Sequence, residues 1–193
     1  MKQESVMKIF ERCNAFHKGH FKLSSGLHSE YYLQCALVLA DPKIAAKLCK
    51  ELAKKFSSAG KGKKIDVVMG PAIGGITAAY EVARSLGAKG IFSEREEGKM
   101  TLRRGFKLRP GEKVLVIEDV TTTGGSAQEV VELAKNLGAK VVGVGAIIDR
   151  SGGKAKFSVP FKSLAKLDIK TFQPQDCPLC KSGRPIVKPG SRK

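Results

Sequence analysis

The sequence predicts an α/β fold: a central, mostly parallel sheet flanked by helices. Short apolar runs at 66–69, 90–93, 114–117 and 141–148 suit strands buried on both faces. Segments 76–86 and 126–137 lie between them and read as helices, the second with Val130, Leu133, Ala134 and Leu137 on one side. Strand and helix therefore alternate, which is the pattern of a parallel sheet covered by helices.

The flanking elements follow from local signals. Val6, Ile9, Phe10 and Cys13 fall at helical spacing, so an amphipathic helix opens the chain over 4–16. Phe21-Lys22-Leu23 and 31–39 read as extended, separated by the turn-rich Ser24-Ser25-Gly26-Leu27-His28-Ser29. Asp41 is placed to N-cap a helix with Pro42 in its first turn, running to about Phe56. Residues 57–64 form a basic, Gly-containing loop. Residues 94–109 are polar and dense in charge, and the stretch after Phe172, rich in Pro, Gly and Lys, is expected to be partly extended or mobile. No internal repeat or linker divides the 193 residues, a length that suits one domain.

Composition narrows the function classes. No apolar run approaches the roughly 20 residues that span a bilayer. The N-terminus lacks the apolar block of a secretion signal, so a soluble, cytoplasmic protein is expected. The 35 Lys and Arg against 18 Asp and Glu give a formal charge of +17. Such a surface attracts anions, phosphorylated metabolites and nucleic acids alike. No recognisable nucleic-acid-binding motif accompanies it. The five cysteines do not make a complete disulfide framework.

The chemistry concentrates in Val114-Leu115-Val116-Ile117-Glu118-Asp119-Val120-Thr121-Thr122-Thr123-Gly124-Gly125-Ser126. A buried strand delivers two adjacent carboxylates to its C-terminal end, where ligands bind in open α/β sheets. A loop of hydroxyls and glycines follows, and then a helix start, whose free N–H groups and dipole suit a phosphate monoester. The carboxylates repel phosphate and suit hydroxyl groups. A ligand with a phosphate at one end and vicinal hydroxyls nearby is a ribose 5-phosphate. An acidic strand end that merely caps a helix leaves the Thr/Gly/Gly/Ser loop unexplained.

This segment resembles the PRPP-binding motif of the type I phosphoribosyltransferases. The resemblance implies that Glu118 and Asp119 hold the ribose hydroxyls and that Val120, Thr121, Thr122, Thr123, Gly124, Gly125 and Ser126 complete the PRPP site around the 5-phosphate. His20-Phe21-Lys22-Leu23-Ser24-Ser25-Gly26-Leu27-His28-Ser29-Glu30-Tyr31-Tyr32 is similar to the N-terminal signature of the orotate phosphoribosyltransferases, and Gly70-Pro71-Ala72-Ile73-Gly74-Gly75-Ile76 to their pyrophosphate loop. Arg95 and Lys99 resemble their mobile catalytic loop, and Arg150 matches a residue that holds orotate together with Thr122 and the backbone around Tyr32 and Leu33. The matches span roughly residues 17 to 150 in order. They imply the type I phosphoribosyltransferase fold as a single domain over 1–193, with 1–40 contributing to a small N-terminal hood and 173–193 as a tail.

The implied reaction moves ribose 5-phosphate from PRPP to orotate, giving orotidine 5′-monophosphate and pyrophosphate in pyrimidine (UMP) biosynthesis. It implies Mg2+ as cofactor, catalytic roles for Lys99, Arg95 and Asp119, and a homodimer whose catalytic loop is shared between subunits. A transferase for another base such as a purine, or a PRPP-binding regulator, is the alternative. Ser24, Gly74 and Glu96 stand where lysines are common in the family, with Lys22, His28, Arg103 or Arg104 as candidate replacements. For Arg95 with Lys99 the plain alternative is a solvated ion-pair loop, and for Arg150 a surface pair with Asp149.

Cys177-Pro178-Leu179-Cys180 has half the spacing of a zinc knuckle, and no second such pair exists. The default reading is a turn with two free or locally paired thiols and no resident metal. Zinc would need a partner's pair, or the distant His17, His20 or His28.

Overall fold

The computed structural model describes residues 1–23, 25–57 and 64–189; Ser24 and much of the basic loop, including Lys61 and Lys63, lie outside the described residues. In chain order the elements are α1 (Gln3–Arg12), β1 (Phe16–Lys22), β2 (His28–Leu33), α2 (Cys35–Leu39), α3 (Pro42–Ser57), β3 (Val67–Pro71), α4 (Gly74–Leu86), β4 (Lys89–Glu96), β5 (Lys99–Thr101), β6 (Lys113–Thr121), α5 (Gly125–Asn136), β7 (Lys140–Asp149), β8 (Phe161–Lys166), β9 (Thr171–Phe172) and α6 (Pro178–Lys181), with a 3-10 turn at Pro174–Asp176.

The main sheet has the order β5-β4-β3-β6-β7-β8. All its pairings are parallel except that of β5 with β4. Alternate side chains of β6 serve opposite faces. Val114 and Val116 pack with Ala127, Val130, Val131 and Ala134 of α5. Leu115 and Ile117 pack with Leu48, Leu52, Ala78 and Val82 of α3 and α4. Both faces are thus covered, which is why the strand reads as an unbroken apolar run. The expected α/β architecture is what the chain adopts.

A second, three-stranded sheet of order β1-β2-β9 sits beside it. Its third strand comes from the far end of the chain. The tail adds to it: Lys22 N donates to Val187 O and Val187 N to His20 O, both at 2.8 Å. The segment after Phe172 is therefore seated on β1 through Val187, an extended pairing as one of the two expectations had it.

One expectation is corrected and two elements are additional to it. Residues 31–39 are not one extended run: β2 ends at Leu33 and α2 follows, because Cys35, Val38 and Leu39, at helical spacing, are all buried. The charge-dense stretch opens as a β4–β5 hairpin, turned at Glu97 and Gly98, both at positive φ. Strand β8 went unforeseen at the sheet edge.

Close packing of α3 on β7 depends on two glycines. A Cβ at Gly145 would stand 2.7 Å from Ile117 Cδ1 and 2.9 Å from Phe56 Cε2, and one at Gly143 2.8 Å from Phe56 Cε1. Gly145→Ala should therefore lower unfolding free energy by about 1–3 kcal/mol, as overpacking does, seen as a lower urea midpoint with an unchanged slope.

Candidate active site

Strand β6 carries Glu118 and Asp119 to the C-terminal edge of the sheet, both half-buried. Burial, then the neighbouring Asp119 charge, pushes the Glu118 carboxyl up to about 7, against a hydrogen bond from Thr121. Burial also raises Asp119, opposed by backbone N–H donors. Thr121 Oγ1 donates to Glu118 Oε2 at 3.4 Å, and Val120 N donates to Asp119 Oδ1 at 2.8 Å. No ion pair among the described residues involves either carboxylate.

The chain then turns through Thr122 and Thr123 to Gly124, at φ 86°. A side chain there would be strained and would meet Phe157 Cζ at 3.0 Å. Helix α5 starts at once, and no side chain caps it. Its first-turn N–H groups and dipole face the Thr/Gly loop, an arrangement built for an anion. Gly125 N donates only weakly, to Thr123 Oγ1 at 3.4 Å.

Beside this hook lies a cleft of about 790 Å³, roofed by the small sheet. Lys22, Tyr32, Thr122, Thr123, Arg150 and Phe172 are among its walls. Arg150 follows β7, and its N–H donates to Thr121 O at 2.9 Å, which ties the two strand ends together. Burial lowers the Arg150 pKa, with Tyr32 opposing. The carboxylate of Asp149 is taken by Ser151, from N at 2.9 Å and Oγ at 2.7 Å. Arg150 forms no ion pair with Asp149, so its guanidinium is left to the cleft.

Arg95 and Lys99 sit elsewhere, on the β4–β5 hairpin, both exposed. Arg95 donates to Gly98 O and to Glu129 Oε1 of α5, each at 2.8 Å. The structure thus gathers the acid pair, hook and Arg150 at one sheet edge, while the two loop cations stand apart from the cleft.

The profile of the phosphoribosyl transferase domain family matches residues 38–179. A protein of Caldanaerobacter subterraneus subsp. tengcongensis named orotate phosphoribosyltransferase is 57% identical over 193 residues, covering 100% of both chains. The chain belongs to the orotate phosphoribosyltransferase family. The crystal structure of orotate phosphoribosyltransferase from Aeropyrum pernix is similar at a TM-score of 0.67 and 26% identity, over 84% of this chain and 93% of that one. An adenine phosphoribosyltransferase structure reaches 0.66 at 19% identity, over 81% of this chain and 98% of that one, a likeness of fold alone.

One departure from the family pattern lies against the acid pair. A Cβ on Gly74 would lie 2.7 Å from Asp119 Oδ2 and 2.8 Å from Oδ1, so the start of α4 packs directly on Asp119 and a side chain there would require its carboxylate to shift. Of the candidate replacement cations, Lys22 lines the cleft. Arg104 is clamped on Glu94 through two bonds of 2.7 and 2.9 Å, and Arg103 lies 3.5 Å from Glu96. His28 is drawn into a cluster with His20 and two cysteines. Sequence reasoning missed the contribution of the segment 168–172 to the cleft, which no local signal marks.

The raised Glu118 pKa has a signed consequence. The folded state keeps a proton that the unfolded chain releases near 4.5, so this stabilising contribution is present at low pH and is lost as pH rises through about 7. Glu118→Gln should stabilise the unliganded protein at pH 8 by about 1–3 kcal/mol, allowing for partial exposure, with the gain gone by pH 4. Thermal melts across that range check it.

Proposed function

We propose that this chain transfers ribose 5-phosphate from PRPP to orotate, releasing pyrophosphate and forming orotidine 5′-monophosphate in pyrimidine biosynthesis, with the β6–α5 segment as the PRPP site and Arg150 as the orotate anchor. One observation carries the reading: an unpaired acid pair, an anion hook and an arginine free of Asp149 converge at the carboxyl ends of β6 and β7. Glu118 and Asp119 accept hydrogen bonds from the ribose hydroxyls. Thr121 to Ser126 hold the 5-phosphate with hydroxyl and backbone N–H donors. Arg150 meets the orotate anion with its forked donors, beside Thr122 and Tyr32.

Breaking the bond from C1 to pyrophosphate puts positive charge on the ribose and negative charge on the leaving group. The protein's task is positioning and electrostatic stabilisation. Asp119 steadies the ribose cation, while Arg95 and Lys99 stabilise the leaving group and help exclude water. The Arg95–Glu129 pair is exposed and worth under about 1 kcal/mol, so releasing Arg95 for this task is cheap. The acid pair, short of compensating charge, suits a ligand that brings a divalent ion. Magnesium bound with PRPP neutralises part of the pyrophosphate charge, with Glu118 and Asp119 as the nearby carboxylates.

A homodimer with the hairpin shared between subunits fits the position of Lys99 at an exposed turn on the sheet edge. It also fits the exposure of Ile73 at 73% and Tyr80 at 62%, large apolar groups before and within α4. A cytoplasmic setting fits five cysteines that form no disulfide. No described helix is long and apolar enough to cross a membrane.

The deciding assay follows pyrophosphate release from PRPP and magnesium with orotate, uracil, adenine, guanine or hypoxanthine; turnover confined to orotate is expected, and turnover with a purine instead overturns the reading. Arg150→Ala should raise the orotate KM about ten- to a hundredfold, the worth of charge-assisted bonds, with PRPP binding nearly intact. Lys99→Ala should cut kcat about a hundredfold, as loss of a leaving-group donor does, with a much smaller change in PRPP affinity. Initial-rate kinetics with each substrate varied separates the two.

A further inference from the structure

His20, His28, Cys177 and Cys180 bring four ligand atoms within 4.8 Å of one another, among the described residues the one convergence of three or more such groups. His20 Nε2 and His28 Nδ1 are 3.1 Å apart. Cys180 Sγ lies 3.3 Å from His28 Nδ1 and 3.7 Å from His20 Nε2, and Cys177 Sγ lies 3.6 Å from His20 Nε2. A tetrahedron drawn with zinc bonds of about 2.0–2.1 Å to nitrogen and 2.3 Å to sulfur has edges of roughly 3.3 Å between nitrogens and 3.6 Å from nitrogen to sulfur. Four of the six separations lie within about 0.3 Å of those edges, and all four atoms lie within 4.8 Å of one another.

The surroundings fit a closed metal centre. His20 Nδ1 lies 2.8 Å from Arg184 O. A proton donated along that line leaves Nε2 as a bare lone pair aimed into the cluster, the usual outer support of a metal-bound histidine. Cys177 stands at the N-cap of α6 with Pro178 next, and Lys181 N donates to Cys177 O at 3.2 Å, folding the C-x-x-C into one turn with both sulfurs on the same side. His20, His28 and Cys177 are buried and Cys180 is exposed. Two thiolates cancel the charge of a divalent ion, so the assembled centre is neutral and tolerates that burial. Two nitrogens and two sulfurs in tetrahedral array select zinc and leave no position open for chemistry.

We propose that these four side chains bind one structural zinc ion that fastens the C-terminal segment to the β1–β2 hairpin. The sequence places two ligands near its start and two near its end, and only folding unites them. His20, His28 and Cys180 fall outside residues 38–179, the part matched by the family profile, so most of the centre lies beyond that part. His17, also weighed as a ligand from sequence, is not among the four.

The test uses the full chain purified without a histidine tag under reducing conditions, with metal content measured before and after dialysis against zinc. One tightly held zinc per chain is expected, falling to near zero in Cys180→Ser, whose exposed position spares the core. Replacement by cobalt(II) should give the intense visible bands of a tetrahedral thiolate site, absent in Cys180→Ser and in His28→Ala. Chelation should lower the melting temperature and open the segment after Phe172 to protease, both restored by zinc. A chain that stays below a tenth of a zinc after dialysis and gives only octahedral cobalt spectra, or that keeps a Cys177–Cys180 disulfide despite the reducing conditions, overturns the proposal. These readouts do not use catalysis, so they stand whichever base the transferase takes.

Discussion

Two like charges at the end of one buried strand govern the site. Glu118 and Asp119 are adjacent on β6, and β-strand geometry sends their side chains to opposite faces unless the strand end relaxes. Both stay half-buried with no cation in ion-pairing reach among the described residues. The protein offsets this with small local means: the Thr121 hydroxyl on Glu118, the Val120 N–H on Asp119, and a bare Gly74 that lets α4 come against the carboxylate. None neutralises the pair, and the raised Glu118 pKa records what is left over. A region of unmet negative charge within a few residues of an uncapped helix start is polarised, with carboxylates at one end and a positive dipole end at the other.

Rigid and yielding parts divide along the same line. The acid pair and hook stand on β6 and α5, whose apolar residues fill the core on both sides of the sheet. The β4–β5 hairpin has exposed residues at its turn and is held by surface ion pairs of small worth. Local opening is drawn from such poorly buried segments. The fold is shared with a structure named for adenine, a likeness of the sheet and its helices alone. The cleft walls add Arg150 at the end of β7 and residues of the β1–β2 hairpin above it.

The site was legible where it is contiguous. Residues 114–126 carry strand, acids, glycine turn and helix start in one uninterrupted run, so local rules suffice. Arg150 was reached through the family resemblance, at the end of an apolar strand that local rules could place. Strand β8 was not, because at the sheet edge Lys162 and Lys166 face solvent and mask the buried Leu164 and Ala165. Helix α2 was obscured by its length: five residues show a single turn of period, and an apolar run that short fits strand or helix equally. The seating of the tail on β1 was illegible for a different reason. Backbone pairing of Val187 with His20 and Lys22 leaves no mark in composition, since any residue offers the same N–H and C=O.

That seating answers a problem of size. The small sheet has three strands, of which β9 has two residues, and isolated hairpins are marginal in water. Its aromatic contacts, Phe16 stacked on Tyr31 at 5.3 Å and Phe21 against Tyr32 at 5.6 Å, join only β1 to β2. Nothing in those pairs fixes the hairpin relative to the cleft it roofs. The chain returns after β8 to supply β9, the Val187 bridge and the buried Cys177, each of which ties β1 or β2 to a segment more than 140 residues away. Closing so long a loop costs little more than closing a short one, because the entropy grows only with the logarithm of length. The far end of the chain is therefore an economical brace for a roof that is too small to hold itself in place.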